Sequence, residues 1–269
     1  MLRFVVALEA EARPLIERFE LQRDPSHTAF PVYRQDDAAL VVCGIGKAAA
    51  AAATAYLHLA TDSEAHALWL NVGIAGHGRR EVGEAVLAHK ICDRASGGTW
   101  YPPRVALPPC DSDLVTTVDQ PELGYQAPGA FEMEAAAFYP TACRFTSAEL
   151  VHCLKVVSDG PGETVERLTL PKITRLIGDH LPTVDAWLES CVPLGEELRR
   201  LHADPPDLDA CLERWRFTVS ERHELRRQLS RRQTLAPETE LPLDEVRQTA
   251  RGKEVNRRLR AWLDGLAAL

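Results

Sequence analysis

The sequence predicts an α/β fold, a three-layer domain built on a central sheet and followed by a helical C-terminal extension. Short apolar, β-branched runs alternate with segments of helical periodicity through roughly the first 190 residues. Several runs end directly in glycine-containing turns, as buried strands often do. Beyond them, strand signals stop and arginine becomes frequent. We therefore expect two regions, residues 1–192 and residues 193–269.

The strand predictions depend on six apolar runs that are too short for helices. The first, FVVAL, is typical of strands buried on both faces of a sheet, and the second, ALVVC, stops at Gly44. The third stops at Gly73, and the last stops at Ser158 and Asp159. The predicted strands cover residues 4–8, 39–43, 68–72, 84–91, 114–118 and 151–157.

The helix predictions depend on apolar side chains that recur every three or four residues. Pro14 suits an early helix position, and Leu15 and Phe19 would supply the apolar face of that helix. An alanine-rich helix is expected over residues 47–60, where small side chains permit close packing on the sheet. Further helices are predicted over residues 132–145 and 173–188.

The C-terminal region carries two apolar stripes, whose tryptophans Trp215 and Trp262 we expect to be buried. The arginines of this region alternate with Glu213, Glu221 and Glu224, as on a solvated helix face. From residue 196 to the end, 15 Lys+Arg stand against 14 Asp+Glu, so the region is nearly neutral. We expect helices that pack on the body or on a second subunit. A docking surface for an acidic partner is the alternative.

The composition argues against several classes of protein. No apolar run reaches the roughly 18–20 residues that span a bilayer, and Glu9 and Glu11 follow the first short run too closely for a signal peptide. We therefore expect a cytoplasmic protein. The net charge is −8, and residues 1–195 alone carry −9, which argues against a general nucleic-acid binder. The seven cysteines lack zinc-ligand or disulfide spacing, so we expect free thiols and no metal site.

Acidic and glycine residues stand where the predicted strands end. Since ligands of α/β proteins bind at the carboxyl ends of strands, these positions are candidate site residues. Each signal alone has a simpler explanation, because acids near a helix start favour the helix dipole and glycines serve tight turns. The candidates are Glu9, Glu11, residues 44–46, residues 73–76, Glu132, Glu134, Ser158 and Asp159.

Six segments, taken together and in order, resemble the methylthioadenosine/S-adenosylhomocysteine nucleosidases, a branch of the purine nucleoside phosphorylase and nucleosidase superfamily. They extend across most of residues 1–190, and the second is similar to its family counterpart almost residue for residue. The segments are ALEAEARPL, VVCGIGKAAAAAA, LNVGIAGH, VGEAVLA, FEMEAAAFY and KVVSDG. The resemblance implies that family's fold with a mixed central sheet, and an N-glycosyl hydrolase that needs no metal or organic cofactor.

The resemblance also implies roles for individual residues. Cleaving an N-glycosidic bond builds positive charge on the ribose and negative charge on the departing base. By resemblance, Asp159 is the general acid that protonates the departing purine. Glu11 is the general base that activates the attacking water. Glu134 would bind the ribose hydroxyls and Met133 would pack on the sugar, whereas Glu132 would contribute little. The remaining implied substrate-binding residues are Gly73, Ile74, Ser158, Lys155 and Val118.

The chain departs from the family at several positions. Ile74 stands where the family has a serine that holds the attacking water, and Lys155 stands where it has an arginine. The segment between Val118 and Phe131 is much shorter than the corresponding segment of the nucleosidases, which carries their base-recognition and dimer elements. Asn71 stands where the phosphorylases carry a phosphate-binding arginine, which favours hydrolysis.

Two alternatives stay open beside a purine nucleosidase. The first is a phosphorylase whose phosphate is held by Lys47, Lys155 or His77. The second is a nucleoside-binding or interaction protein that kept the fold and lost turnover, a reading that Ile74 favours. In each case we expect a small nucleoside as the ligand and a homo-oligomer as the assembly.

Overall fold

The computed structural model describes residues 1–61, 65–243 and 250–266. The chain forms two compact units, Met1–Arg199 and Arg200–Leu269. The boundary expected between residues 192 and 193 falls inside a helix, Leu181–His202, and the predicted division stays a prediction. Among the described helices, none combines the length and the apolar character that crossing a bilayer requires.

One sheet with both parallel and antiparallel neighbours forms the centre of the first unit. Its strands are β1 (Leu2–Val6), β2 (Gln22–Arg23), β3 (Val32–Gln35), β4 (Ala38–Val42), β5 (Leu68–His77), β6 (Ala85–Asp93), β7 (Thr99–Trp100), β8 (Asp111–Thr117), β9 (Ala130–Glu132) and β10 (Val151–Asp159). β5 lies between β1 and β10, and all three run parallel. β10 also pairs with β6, β6 with β8, β8 with β9, and β9 with β5, so these five strands close into a ring.

Helices cover both faces of this sheet, as the three-layer prediction requires. They are α1 (Glu9–Arg18), α2 (Lys47–Ala60), α3 (Ala135–Ala142), α4 (Leu170–Asp179) and α5 (Leu181–His202). Along β1, Val5 belongs to the core shared with α2 and α3, whereas Phe4 and Val6 belong to the core shared with α1, α4 and α5. This alternation follows from the two-residue period of a strand. The predicted fold class is confirmed.

Two strands run further than the sequence predicts. Residues 73–76 were expected to form a turn, but they continue β5 and pair with β9 and β10. Glycine at these positions allows neighbouring side chains to pack directly against the strand. A Cβ on Gly73 would lie 2.9 Å from Oε1 of Glu11. A Cβ on Gly76 would lie 2.6 Å from Oδ2 of Asp159. The late strand likewise continues through Ser158 and Asp159, so both candidate residues belong to β10.

The first helix begins earlier than predicted, because Pro14 lies inside α1 and not near its start. Proline has no N–H to bond the carbonyl four residues before it, which here is that of Ala10. The hydroxyl of Thr174 donates to that carbonyl at 2.9 Å and so satisfies it. A tertiary hydrogen bond that the sequence does not reveal therefore permits proline at this position.

Two other helix predictions were wrong in their limits. Glu132 ends β9, and α3 begins only at Ala135. The helix expected over residues 173–188 is two helices separated by His180. Nε2 of His180 lies 2.5 Å from the carbonyl oxygen of Gly83, on the loop before β6.

The second unit is helical in its described part, as predicted. Its helices are α6 (Leu208–Arg214), α7 (Val219–Leu235) and α8 (Gly252–Leu266). Thr218 and Glu221 form a reciprocal capping box that starts α7. Trp215 is 4% exposed and lies in a core with Leu225 and Leu259. Trp262 is half-buried in the single chain, and its burial against a second subunit stays a prediction.

Candidate active site

Three neighbouring strands, β1, β5 and β10, bring Glu11, Lys155 and Asp159 to one edge of the sheet. In the register of β5 and β10, Gly73 pairs with Lys155 and Gly76 pairs with Asp159. An irregularity between Val157 and Asp159 shifts the register at the end of β10. Glu11 lies in the first turn of α1, directly after β1, which is the other neighbour of β5.

A cavity of about 250 Å³ opens at this edge. The predicted site residues that line it are Glu11, Ile74, Val118, Met133, Glu134, Ser158 and Asp159. Gly73 and Lys155 are not among the lining residues, and Lys155 is 1% exposed. Glu122 and Glu132 add two further carboxylates to the lining, and no described lining residue is Lys, Arg or His. The cavity therefore suits neutral or positively charged groups better than anions.

Glu11 is held in one orientation by backbone N–H groups. Its Oε2 accepts hydrogen bonds from the N–H groups of Ala7 at 3.0 Å and Leu8 at 2.9 Å, and its Oε1 accepts one from Ile74 at 2.9 Å. Burial raises the pKa of Glu11, and the charge of Lys155 together with these hydrogen bonds opposes the rise only in part. A raised pKa brings a carboxylate closer to the range in which a general base is effective at neutral pH.

Glu132 and Lys155 form a buried ion pair, with 2.9 Å between Oε2 and Nζ and both side chains 1% exposed. Burial raises the pKa of Glu132, but Lys155 and the Thr117 hydroxyl outweigh burial and bring the pKa below its ordinary value. Burial lowers the pKa of Lys155, but the charges of Glu132 and Glu134 outweigh it and raise the pKa. Glu132 also accepts hydrogen bonds from the N–H groups of Glu134 and Ala135. Glu132 therefore links β9 to β10, and the expectation that it contributes little to ribose binding and turnover stays a prediction.

Glu134 reaches across to the turn between β4 and α2. Its Oε1 accepts a hydrogen bond from the N–H of Gly46 at 2.9 Å. Gly46 has a φ of 103°, a conformation that favours glycine, so the Gly-Ile-Gly segment serves to aim this N–H at the carboxylate. Burial, assisted by the charge of Glu132, raises the pKa of Glu134 to about 7. This side chain can therefore carry a proton at neutral pH.

Asp159 accepts a hydroxyl hydrogen bond at each of its oxygens. Ser158 donates to Oδ1, and Tyr125 donates to Oδ2 at 2.5 Å. Tyr125 lies in a core with Val118 and Phe131, against which Met133 packs. Ser158 and Tyr125 thus hold the carboxyl group of Asp159 from two sides.

The cations proposed as phosphate ligands are all close to carboxylates. Nζ of Lys47 lies 2.9 Å from Asp93 and 2.8 Å from Asp119. Nδ1 of His77 accepts backbone hydrogen bonds, so its Nε2 carries a proton and faces Asp113 at 3.3 Å. Lys155 pairs with Glu132, as described above. Within the described residues, no three His, Cys, Asp or Glu side chains are grouped so that they could hold a metal ion.

Solved structures share this architecture. The 5′-methylthioadenosine/S-adenosylhomocysteine nucleosidase from Neisseria meningitidis, in complex with methylthio-immucillin-A, superposes with a TM-score of 0.57 at 19% identity, covering 70% of this chain and 99% of that chain. The 5′-methylthioadenosine nucleosidase of Arabidopsis thaliana gives 0.59 at 18%, covering 70% and 94%. A futalosine hydrolase mutant of Helicobacter pylori gives 0.55 at 12%, covering 70% and 98%. No family model and no curated protein matches the sequence.

These superpositions cover nearly the whole of each related chain, and at such low identity they establish the fold alone. The chain has the fold of these solved nucleosidases. The resemblance drawn from six sequence segments is confirmed at this level.

Reasoning from the sequence missed the ion-pair partner of Glu132, and it missed Tyr125 altogether. Glu132 was named as a candidate, but its pairing with Lys155 joins β9 to β10 and appears only in the folded chain. Tyr125 lies in the short segment before β9, which carries no motif. The glycines at positions 76 and 78 are the one signal in the sequence, because a Cβ on either would collide with Tyr125.

Proposed function

We propose that this protein is a nucleosidase that hydrolyses the N-glycosidic bond of a purine nucleoside or a related N-ribosyl compound. The observation that carries the proposal is the acidic cavity itself, in which Glu11, Glu134 and Asp159 converge from three distant parts of the chain. A cavity lined by carboxylates stabilises the positive charge that develops on the ribose as the bond breaks.

Each carboxylate has a role suited to its surroundings. Asp159, at the end of β10, would donate a proton to the departing base, and Ser158 and Tyr125 orient it for this step. Glu134 would bind the ribose hydroxyls beside Met133. Glu11 would take a proton from the attacking water, a role that its raised pKa supports.

Water is favoured over phosphate as the nucleophile. A phosphorylase must neutralise a phosphate dianion, and Lys47, Lys155 and His77 each already face a carboxylate. Asn71 donates a hydrogen bond to the carbonyl of Val5 and is 1% exposed. The described lining of the cavity therefore supplies no cation for phosphate.

A nucleoside-binding protein with little turnover is the second candidate. Ile74 favours it, because its side chain lines the cavity where a hydroxyl would help to hold water, and only its backbone N–H forms a hydrogen bond there, to Glu11. Slow hydrolysis and simple binding predict the same cavity, so turnover must be measured directly.

The test is a panel of purine nucleosides, with and without a substituent at the 5′ position, assayed for free base in the presence and absence of phosphate. We expect base release that does not require phosphate, with free ribose or its 5′-substituted form as the second product. Asp159→Asn should lower the rate by about 10²–10⁴-fold, because an amide cannot donate the acid proton. Ribose 1-phosphate as the product would instead establish a phosphorylase. Binding without any base release would establish the second candidate.

A further inference from the structure

Tyr125 fits a slot that two glycines of β5 and the following loop leave open. A Cβ on Gly76 would lie 2.6 Å from Cε1 of Tyr125, and a Cβ on Gly78 would lie 2.3 Å from its carbonyl oxygen. Both distances are far inside van der Waals contact, so any larger residue would displace the tyrosine. Tyr125 itself is 6% exposed. The end of β5 is therefore shaped to receive this one side chain.

The backbone of Tyr125 is held by a second set of contacts. Its φ of 46° lies in the left-handed region, which a tyrosine rarely occupies without support. Oε1 of Glu122 supplies that support by accepting hydrogen bonds from the N–H groups of Gly124 at 2.8 Å and Tyr125 at 3.2 Å. Arg94 pairs with Oε2 of Glu122, and its guanidinium lies 5.1 Å from the ring centroid of Phe131. This network fixes Tyr125 and does not leave it as a side chain poised to swing.

We propose that Tyr125 is a positioning residue for Asp159 and that it aims the carboxyl group at the departing base. The inference rests on the proposed function. Tyr125 is not among the residues that line the cavity, so it acts from behind the wall through its hydroxyl. Each carboxylate oxygen can accept more than one hydrogen bond, so Asp159 keeps capacity for a ligand while Tyr125 and Ser158 hold it.

The experiment compares Tyr125→Phe, which removes only the hydroxyl, with Tyr101→Phe, which removes a hydroxyl from a side chain that is 66% exposed. Each variant is assayed on the best purine nucleoside of the panel and on 4-nitrophenyl β-D-riboside, whose leaving group departs without a proton. For Tyr125→Phe we expect about tenfold lower kcat on the purine nucleoside, the size of one ordinary hydrogen bond. On the nitrophenyl riboside we expect a change below about twofold, because that substrate does not need the acid. Tyr101→Phe should match the wild type on both substrates.

Equal losses on the two substrates would show a purely structural role and overturn the inference, as would no loss on either. Adenine affinity, measured by calorimetry, provides a readout that is independent of turnover. We expect Tyr125→Phe to bind adenine about tenfold more weakly. Unchanged or tighter binding would overturn the inference, since tighter binding would mean that the hydroxyl competes with the base.

Failure of the proposed function gives a different pattern. If the wild type releases no base from either substrate, the nucleosidase proposal fails, while the adenine titration still decides the role of Tyr125. If the wild type neither turns over nor binds adenine, both proposals fail. Should Tyr125→Phe not fold, Arg94→Met is the second variant, because it removes the ion pair that holds Glu122 against the backbone of Tyr125. It should give the same selective loss on the purine nucleoside, and equal losses on both substrates would count against the inference.

Discussion

The cavity of the first unit and the arginine-rich helix of the second differ in how their charged side chains are balanced. Carboxylates are in excess around the cavity, whereas the helix carries ion pairs. Around the cavity there are five lining carboxylates, and the buried cation Lys155 pairs with one of them, Glu132. On α7, four arginines pair with carboxylates at or near the surface. The pairs are Arg226 with Asp204, Arg227 with Glu224, Arg231 with Asp264 and Arg232 with Asp207.

The difference indicates that the cavity carboxylates belong to a candidate site, whereas the ion pairs of α7 belong to the structural framework. Exposed pairs contribute roughly 0–1 kcal/mol each and leave little net charge to attract a partner. Buried and unbalanced carboxylates shift one another's pKa values, as Glu134 shows, and such groups cluster at functional sites. The balance on α7 supports the interpretation of the second unit as structural and does not favour a docking surface for acidic partners.

Replacing Lys155 tests this contrast most strongly. Lys155→Met should lower the free energy of unfolding by roughly 3–5 kcal/mol, because it leaves the buried Glu132 carboxylate without its cation. Arg226→Met, at an exposed pair of the second unit, is the matched control and should change it by less than about 1 kcal/mol. Urea denaturation of both variants measures the two values. Equal effects would mean that burial does not distinguish the two regions.

The second test uses pH to separate the two neighbouring carboxyls. The pKa of Glu134 is raised from 4.5 to about 7 in the folded protein, so its stabilising contribution is complete below pH 4.5 and is lost as the pH rises to 7. Glutamine does not titrate, so the free energy of unfolding of Glu134→Gln should not fall in this way. Relative to the wild type, it should rise between pH 4.5 and 7 by on the order of 2–3 kcal/mol.

Glu132→Gln should show the opposite trend. The pKa of Glu132 is lowered, so its contribution is present above pH 4.5 and disappears as the pH falls below that value. The deficit of Glu132→Gln against the wild type should therefore be largest at neutral pH and shrink in acid. Free energies of unfolding at pH 3, 4, 5 and 7 measure both trends. The same trend in both variants would contradict the assigned pair of Glu132 with Lys155.

The smallest effect is expected on α7. Changing Arg226, Arg227 and Arg231 together to alanine should leave the fold intact, with about 1 kcal/mol or less lost per pair. Titration of the wild type with duplex and single-stranded DNA and RNA at two salt concentrations should show no tight binding. Micromolar binding that weakens steeply with salt and disappears in the variant would make this surface a nucleic-acid site.

The sequence predicts those parts of the molecule whose causes are local. The alanine-rich helix of residues 47–60 has the predicted limits, and each of the six predicted strands is present. The shorter strands β2, β3, β7 and β9 were not predicted. Seven candidate residues surround one cavity. Those on or after β1, β5 and β10 do so because the carboxyl ends of parallel strands meet at a common edge. Met133 and Glu134 follow β9, which runs antiparallel to β5, so that rule does not account for them. Hydrogen bonds between distant parts of the chain could not be predicted from the sequence. An example is the hydrogen bond from Thr174 that allows Pro14 inside α1. The Tyr125 contact with Asp159 is of the same kind, since it joins a segment without any motif to a distant strand.

The closed ring of strands has a consequence for how the chain folds. β10 is the last strand to be made, yet it lies between β5 and β6 and completes the ring. Until residue 159 has left the ribosome, β5 and β6 have unpaired edges, and exposed edges of apolar strands are sites of aggregation. Pairings between segments so far apart in sequence also form slowly. We therefore expect this protein to depend on chaperones during synthesis, and chains truncated before β10 to aggregate.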